Sequence, residues 1–347
     1  MSLIVHIEKK YKDFTLQSDF EAGDETLALL GASGSGKSVT LRCIAGVEKP
    51  DRGIIVLNGR TVFDSSKGIN LRPQERNIGL MFQNYALFPQ MTVYQNVMCG
   101  AKKIRNKSGQ EKAVRDVLET LGIAKLTDRL PSQLSGGQQQ RTALARILVG
   151  SPEILMLDEP FAALDSHLRF RIEQEVRGII REFGRTVLLV SHDRDEVYRM
   201  ADRVAILNEG RIELIGSRDE VFSSPCTNQA CLLTGCKNVS SARVVDRTHI
   251  LAEDWGITLS LPVQDGTDGV GLRMNAVVPG EGENAFLCDV AGVAENPLTY
   301  TVLLHPVNAP DTAVPLAWEI NKNLWQEHRA EQITIHIPAD MILQLKG

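Results

Sequence analysis

The sequence has little of several features that mark particular protein classes. Aromatic residues make up only 5% of the 347 residues, and no apolar run approaches the ~18 residues of a membrane-spanning helix. The first ten residues include Glu8, Lys9 and Lys10 and lack the apolar stretch of a secretory signal. The six cysteines are scattered unevenly, which predicts free thiols in a reducing compartment. We therefore expect a soluble intracellular protein that could serve a membrane only from its surface.

The chain also lacks the excess of positive charge that is typical of nucleic-acid-binding proteins. It has 38 Lys and Arg against 43 Asp and Glu, a net charge of −5. The charge is uneven, because residues 237–347 carry 7 basic against 14 acidic side chains and the preceding residues carry 31 against 29. The hydrophobic pattern changes at the same place. This coincidence predicts two domains, residues 1–235 and 236–347.

In the first predicted domain, short apolar runs alternate with segments of helical periodicity. The predicted strands are 26–30, 54–57, 78–82, 154–157 and 186–190, and the predicted helices are 37–45, 112–121, 139–148 and 169–183. Alternating strands and helices, with wholly apolar strands, predict an α/β fold whose parallel sheet is covered on both faces.

The second predicted domain contains short strand-like runs separated by turn signals such as Asp265-Gly266 and Asn296-Pro297. The predicted strands are 242–245, 257–261, 276–278, 300–304 and 332–337. This pattern favours a small all-β barrel.

Residues 31–38, Gly-Ala-Ser-Gly-Ser-Gly-Lys-Ser, match the phosphate-binding pattern G-x-x-x-x-G-K-[ST] between a predicted strand and a predicted helix. Glycines let backbone N–H groups turn toward phosphate oxygens, and the helix N-terminus adds its positive dipole end. Lys37 is predicted to reach the β and γ phosphates of ATP and the Ser38 hydroxyl to ligate Mg²⁺. The predicted nucleotide-binding residues of this segment are Gly31, Ala32, Ser33, Gly34, Ser35, Gly36, Lys37, Ser38 and Val39.

An Asp-Glu pair follows the apolar strand 154–157. A carboxylate at Asp158 would lie at the carboxyl edge of a parallel sheet, where ligands bind, and is suited to holding Mg²⁺ through water. Glu159 is then placed to orient or deprotonate a water that attacks the γ-phosphate. Taken alone, such a pair could be a solvated turn. Together with the phosphate-binding loop, it predicts a nucleotide hydrolase.

The segment Leu134-Ser135-Gly136-Gly137-Gln138 resembles the signature sequence of ATP-binding-cassette (ABC) ATPases. Other elements occur in that family's order. Tyr11 is placed like the aromatic residue that stacks on adenine, Gln83 like the lid-loop glutamine, residues 163–165 like the loop after the catalytic glutamate, and His192 like the switch histidine. The resemblance covers about the first 235 residues. It implies a P-loop (RecA-like) nucleotide-binding domain with a helical subdomain at about 88–150, followed by an OB-like barrel.

The resemblance also implies how these residues act. Ser135 and the amides of Gly136 and Gly137 begin a helix and so form a second anion site. In this family the signature, with Gln138, closes on the γ-phosphate held by a partner cassette, so that two ATP molecules lie between two head-to-tail copies. Gln83 would sense Mg²⁺ or the attacking water, and His192 would bind the γ-phosphate. The alternatives are a structural histidine and, for Tyr11, an ordinary surface tyrosine.

Residues 83–89 and 91–93 look like the importer subfamily, in which this segment lines a groove for a short helix of the membrane subunit. The apolar floor is predicted to be Tyr85, Leu87, Phe88 and Met91, with Arg72 and Arg76 nearby. The alternative is that these residues only pack the core.

The substrate is indicated by the C-terminal part. Residues 234–239 and 270–273 resemble the join and accessory barrel of oxyanion importers, and the Cys-Lys-Asn join is most similar to molybdate-type ATPases. Sulfate, tungstate, sugar and polyamine importers remain alternatives. Cys226, Cys231 and Cys236 recur every fifth residue, but they form no CxxC pattern, so we interpret them as ordinary thiols rather than metal ligands.

These observations predict the ATP-hydrolysing subunit of an ABC importer for an oxyanion, with molybdate favoured. The expected cofactors are ATP and Mg²⁺. The expected partners are a second copy of the chain, two membrane-spanning permease subunits and an external solute-binding protein, with no nucleic acid, and the expected location is the inner face of the cell membrane. A rival hypothesis is a non-transport ABC ATPase that acts on ribosomes or DNA, although the chain has one cassette and no heptad run. Another is an anion-storage barrel regulated by the ATPase.

Overall fold

The computed structural model describes residues 2–162, 164 and 166–346. The chain divides into two compact units, Met1–Arg218 and Asp219–Gly347. This division lies before the predicted boundary at residue 235, so that residues 219–235 group with the C-terminal unit. The reason is local, since the buried Cys231 and Cys236 of this segment pack against Leu345 near the C-terminus.

The N-terminal unit is built on one eleven-stranded sheet. Its strands are β1 (Leu3–Lys10), β2 (Thr15–Ala22), β3 (Thr26–Leu30), β4 (Arg52–Leu57), β5 (Arg60–Asp64), β6 (Ile69–Asn70), β7 (Ile78–Met81), β8 (Ile154–Asp158), β9 (Val187–Ser191), β10 (Arg203–Asn208) and β11 (Arg211–Ser217). The order is β6-β5-β4-β1-β2-β11-β10-β3-β9-β8-β7. The segment β10-β3-β9-β8-β7 is parallel throughout, as predicted, and the strands from β6 to β2 pair antiparallel.

The two parts of this sheet have different sequence patterns. Every residue of β3, β8 and β9 is buried, which is typical of parallel strands covered on both faces. In β2 buried and solvent-facing positions alternate instead, because one face of this antiparallel strand meets solvent. The sequence prediction found β3, β4, β7, β8 and β9 and missed the other six strands, including the buried central strand β10.

Six helices belong to the N-terminal unit as described. They are α1 (Lys37–Ala45), α2 (Val93–Gly100), α3 (Lys107–Thr120), α4 (Gly136–Leu148), α5 (Ser166–Phe183) and α6 (Arg194–Met200). Helices α2, α3 and α4 pack on one another, within the predicted helical subdomain at 88–150. Within the described ranges, no helix is both long enough and apolar enough to cross a membrane.

The C-terminal unit is β-rich, as predicted. Its strands are β12 (Asn238–Val244), β13 (His249–Ala252), β14 (Ile257–Ser260), β15 (Gly269–Leu272), β16 (Val278–Pro279), β17 (Ala285–Glu295), β18 (Thr299–Pro306), β19 (Leu316–Asn321), β20 (Gln332–His336) and β21 (Leu343–Leu345). They form two five-stranded sheets, β14-β13-β12-β15-β21 and β16-β20-β17-β18-β19. The accompanying helices are α7 (Arg218–Ser223), α8 (Asn228–Leu233) and α9 (Lys322–His328).

One hydrophobic core joins the two sheets of this unit. Trp255, Trp318 and Trp325 lie in it, and the last two rings meet edge to face at 6.3 Å. The predicted strand 276–278 is wrong. Met274–Ala276 forms a 3-10 turn, because the Ala276 amide bonds to the Arg273 carbonyl, and only the short β16 follows.

Candidate active site

Six of the nine predicted phosphate-loop residues from Gly31 to Val39 line one cavity of about 660 Å³. Its lining combines the phosphate-loop segment with side chains that are far apart in the sequence. The lining residues are Tyr11, Phe14, Ser33, Gly34, Gly36, Lys37, Ser38, Val39, Arg42, Gln83, Glu159 and His192. The four side chains predicted outside this segment, Tyr11, Gln83, Glu159 and His192, therefore line the same cavity as the loop between β3 and α1.

The loop conformation requires glycine. Gly34 and Gly36 have φ angles of 83° and 106°, which side-chain-bearing residues rarely adopt. A Cβ at Gly36 would also lie 2.8 Å from Leu16 Cδ1 and 2.9 Å from Phe14 Cζ. The chain therefore passes close under Phe14 and enters α1 at Lys37, so that the first turn of this helix borders the cavity.

Lys37 is buried and braces the loop. Its Nζ donates hydrogen bonds to the carbonyl oxygens of Gly31 (2.7 Å) and Ala32 (2.8 Å). Burial lowers the pKa of Lys37, and the nearby carboxylates of Glu159 and Asp158 oppose this shift. A buried ammonium whose partners are neutral carbonyls would be stabilised further by a phosphate anion.

A hydroxyl and a carboxylate form an oxygen-donor pair at the edge of the sheet. Ser38 Oγ, in the first turn of α1, donates to Asp158 Oδ1 at the end of β8 over 2.8 Å. Burial raises the pKa of Asp158, an effect that the Ser38 hydrogen bond opposes. Ser38 and Gln83 line the cavity, whereas Asp158 is buried behind its hydrogen bond to Ser38 and is not part of the lining. Hydroxyl, carboxylate and amide oxygens are the ligands that Mg²⁺ prefers, so these three residues fit the predicted metal.

Glu159 and His192 contact each other directly. His192 Nδ1 lies 2.7 Å from Glu159 Oε2, and the two residues follow the ends of neighbouring strands β8 and β9. Glu159 has a φ of 48°, and its amide donates to the Val190 carbonyl at 3.0 Å. A non-glycine residue with positive φ that is fixed by a backbone hydrogen bond is typical of functional sites. The histidine side chain is 63% exposed and the glutamate only 13%, so the carboxylate lies deeper.

Tyr11 lines the cavity beside residues that the sequence prediction missed. Its hydroxyl donates to the Glu48 carboxylate, and its ring lies 6.1 Å from that of Phe14. Arg42 also lines the cavity. Phe14 and Arg42 could both have been predicted from their spacing in the sequence. Phe14 follows Tyr11 by three residues, and Arg42 lies one helical turn after Ser38 on the same face of α1.

Three residues of the predicted nucleotide segment do not line the cavity. Gly31 and Ala32 instead supply the carbonyls that hold Lys37, and Ser35 is buried. A Cβ at Gly31 would lie 2.3 Å from the Leu207 carbonyl oxygen, so this glycine is needed for close packing of β3 against β10.

The signature residues lie elsewhere in the unit. Ser135 is exposed as the N-cap of α4, and its amide donates to Gln138 Oε1 at 3.0 Å, which closes a capping box. Gly137 is buried where α4 packs closely on α5, so that a Cβ there would lie 2.5 Å from Ile172 Cδ1. In the part of the chain that the structure describes, Ser135, Gly136, Gly137 and Gln138 contribute nothing to the wall of the cavity. Of the predicted loop 163–165, Ala163 and Asp165 lie outside the described residues.

A second, apolar groove of about 720 Å³ lies between α1, β7 and the segment that follows Gln83. The groove includes Val47, Leu80, Phe82, Phe88, Met91 and Ile147. Of the predicted floor, Phe88 and Met91 line the groove, whereas the buried Tyr85 and the half-buried Leu87 do not.

Arg76, predicted to lie near this groove, does not line it, although its neighbour Asn77 does. Its side chain is fully buried and donates to the carbonyls of Cys43 (2.9 Å) and Ile44 (2.7 Å). Arg76 thereby caps the C-terminus of α1, where a cation is favoured by the helix dipole.

Comparison with known proteins gives a consistent result. Residues 15–162 match the family described as ABC transporter.

The chain is 41% identical over 244 residues to the spermidine/putrescine import ATP-binding protein of Oleidesulfovibrio alaskensis, covering 70% of this chain and 64% of the relative. It is 45% identical over 203 residues to the trehalose/maltose import ATP-binding protein of Thermococcus litoralis, covering 58% and 54%. It is 39% identical over 280 residues to the sulfate/thiosulfate import ATP-binding protein of Mycobacterium bovis, covering 80% and 78%. The chain thus spans less than two thirds of the length of the first two relatives.

Solved structures share the fold of the N-terminal part. One is cbiO1 from Clostridium perfringens, part of an ABC transporter complex, with a TM-score of 0.56, 32% identity and coverage of 64% of this chain and 90% of that one. Another is the dimeric post-hydrolysis state of an ATP-binding cassette bound to ADP and Pi, with a TM-score of 0.53, 29% identity and coverage of 63% and 99%. The fold class predicted from the sequence is confirmed.

Proposed function

The chain belongs to the ABC transporter family of import ATP-binding proteins, and on that premise we propose that it hydrolyses ATP to power solute import across a membrane. The single observation that carries this proposal is the cavity that combines Lys37, Ser38, Gln83, Glu159 and His192. Within one site these residues supply a cation for the phosphates, oxygen ligands for Mg²⁺, a base and a further hydrogen-bond donor.

Each cavity residue has a role that its position supports. The triphosphate would lie along the glycine loop and the first turn of α1, with Lys37 released from the Gly31 and Ala32 carbonyls to contact the β and γ phosphates. Ser38, Asp158 and Gln83 would hold Mg²⁺, which neutralises phosphate charge when bound. The adenine would lie at the end of the cavity formed by Tyr11 and Phe14, where aromatic rings offer a stacking surface.

The reaction is an in-line displacement at the γ-phosphate. The oxygen of a water attacks phosphorus, Glu159 accepts a proton from that water, and the bond to the bridging oxygen breaks to leave ADP and inorganic phosphate. His192, which contacts Glu159 at 2.7 Å, would donate a hydrogen bond to the γ-phosphate. Lys37 spreads the charge that develops on the phosphoryl oxygens.

We propose that a second copy of the chain completes the site. The N-terminus of α4, with exposed Ser135 and the amides of Gly136 and Gly137, is an anion site that lies outside its own chain's cavity. Two copies arranged head to tail would place each α4 N-terminus on the other copy's γ-phosphate. The dimeric cassette with ADP and Pi, similar to this chain, supports a dimer.

The apolar groove supports a membrane partner. Exposed Phe82, Phe88 and Met91 form a concave apolar surface next to Gln83. We propose that a short helix from each of two permease subunits docks in the groove, on the cytoplasmic face of the membrane, and that an external binding protein delivers the solute.

For the solute we propose an oxyanion, with molybdate favoured by the Cys236-Lys237-Asn238 join. The sulfate/thiosulfate import relative, covered over 78% of its length, supports the oxyanion class. Polyamine and sugar importers are the alternatives, since relatives of both kinds have similar identity.

The complete complex provides the test of this proposal. The full chain, purified with its permease and binding protein and reconstituted in liposomes, should release phosphate from MgATP faster when the binding protein carries its solute. Molybdate, tungstate, sulfate, spermidine and maltose, offered in parallel, assign the substrate. Stimulation by spermidine or maltose alone would refute the oxyanion, and phosphate release that responds to ribosomes or DNA instead would refute the importer.

A further inference from the structure

A strained turn lies immediately after Gln83. Tyr85 and Ala86 have φ angles of 58° and 44°, and neither is glycine. Two consecutive side-chain-bearing residues in the left-handed region persist only where their surroundings hold them. The turn lies between the nucleotide cavity, which Gln83 lines, and the apolar groove, which Ala86 and Phe88 line.

A single arginine holds both peptide units of this turn. Arg146, near the end of α4, donates from Nη1 to the Ala86 carbonyl (2.7 Å) and from Nη2 to the Tyr85 carbonyl (2.9 Å). Its guanidinium also lies 5.6 Å from the centre of the Phe88 ring. The planar fork of arginine matches two neighbouring acceptors in a way that the point charge of lysine does not.

The turn is also tied to the catalytic edge of the sheet. The Tyr85 side chain is 4% exposed, and its hydroxyl donates to the Pro160 carbonyl, next to Glu159, over 3.4 Å. The helix that begins at the signature, the segment after Gln83 and the residues after Glu159 therefore meet at one point in the chain.

We propose that Arg146 is a positioning residue for the reaction: its two hydrogen bonds hold the strained Tyr85-Ala86 turn and thereby set the place of Gln83 in the cavity and of Phe88 in the groove. The inference rests on the proposed ATP hydrolysis for its kinetic consequence. Most of the proposed ATP contacts come from the phosphate loop, and Gln83 supplies only one of the three proposed Mg²⁺ ligands, while Arg146 donates to the Tyr85 and Ala86 carbonyls and not to that loop. Loss of the two hydrogen bonds from Arg146 should therefore lower kcat and leave KM for ATP nearly unchanged.

The test compares Arg146→Met, which keeps length and packing but removes all donors, with the wild-type full chain. Arg115→Met removes an exposed arginine of α3 and serves as the matched control. Hydrogen exchange without nucleotide should be about tenfold faster at the amides of residues 82–91 in Arg146→Met only. With MgATP, kcat should fall at least about tenfold with KM within twofold, because a small displacement of a positioned group is costly.

A rescue variant separates this role from a general loss of stability. Ala86→Gly adopts the left-handed conformation without strain, so adding it to Arg146→Met should recover part of kcat and slow the exchange again. Arg146→Lys, which keeps the charge, provides the second variant if Arg146→Met does not fold, and should show the same changes in smaller measure.

Unchanged hydrogen exchange of residues 82–91 in the Arg146 variants would refute the proposal that Arg146 holds the Tyr85-Ala86 turn. Equal changes in kcat and KM that Ala86→Gly does not reverse would refute it as well. If the wild-type chain hydrolyses no ATP, the proposed function fails, whereas the exchange measurement still decides whether Arg146 holds the turn.

Discussion

Glu159→Gln isolates the chemistry from the structure of the site. The glutamine side chain has the same shape, so it can keep the 2.7 Å contact with His192, and the backbone bond from residue 159 to the Val190 carbonyl is unaffected. What is lost is the carboxylate that accepts a proton from water. A general base contributes about 10²–10⁴-fold, so hydrolysis should fall by that factor, equivalent to about 2.7–5.4 kcal/mol of activation free energy.

The assay is phosphate release from MgATP, measured beside nucleotide affinity. Affinity should be kept, because Lys37 and Ser38 are intact. Glu153→Gln is the matched control, since this carboxylate precedes β8, accepts hydrogen bonds from Asn58 and Asn77 and lies outside the cavity. With hydrolysis blocked, Glu159→Gln should accumulate as an ATP-bound dimer in size-exclusion chromatography with light scattering. Adding Ser135→Arg should disperse that dimer. Hydrolysis by Glu159→Gln within about threefold of wild type would remove Glu159 from the mechanism.

Two further predictions concern stability. A chain ending at Arg218 should fold and bind ATP, whereas a chain ending at Cys236 should aggregate because Cys231 and Cys236 lose their packing partner Leu345. Circular dichroism and light scattering check this prediction. Aggregation of the chain ending at Arg218 together with folding of the chain ending at Cys236 would contradict the division between residues 218 and 219. Burial, chiefly, raises the pKa of Glu196 from 4.5 to about 8, so the folded chain holds this proton where the unfolded chain does not. The free energy of unfolding should therefore fall by up to about 1.4 kcal/mol per pH unit between pH 5 and 8, and Glu196→Gln should flatten that dependence in urea titrations. Equal slopes for both proteins would contradict the buried neutral carboxyl.

The sequence predicted the parts of the fold that have a strong pattern. The wholly apolar β3, β8 and β9 and the helix that begins at Lys37 carry such patterns, and the phosphate loop carries a motif whose chemistry fixes its residues. β1 and β2 were missed because these antiparallel strands have one face that meets solvent, so charged residues such as Glu8 and Asp19 interrupt the apolar pattern.

The sequence motifs predicted many of the site residues but not the contacts between them. Glu159 and His192 were placed by their positions after strands, but their direct contact follows from the pairing of β8 with β9, which no local pattern encodes. The capping role of Arg76 was not predicted, because its partners, the Cys43 and Ile44 carbonyls, lie more than thirty residues away in the sequence. Long-range hydrogen bonds of this kind become visible only once the fold is known.

The most direct measurement of the central claim is nucleotide binding and hydrolysis by Lys37→Ala beside the wild-type full chain. Lys37 is the buried cation of the cavity loop, and alanine leaves nothing in its place at the β and γ phosphates. Lys49→Ala, at an exposed lysine just after α1, is the control. Isothermal titration with MgATP and phosphate release should both be lost in Lys37→Ala and retained in Lys49→Ala. Hydrolysis near the wild-type rate in Lys37→Ala would contradict the assignment of this cavity as the site of ATP hydrolysis.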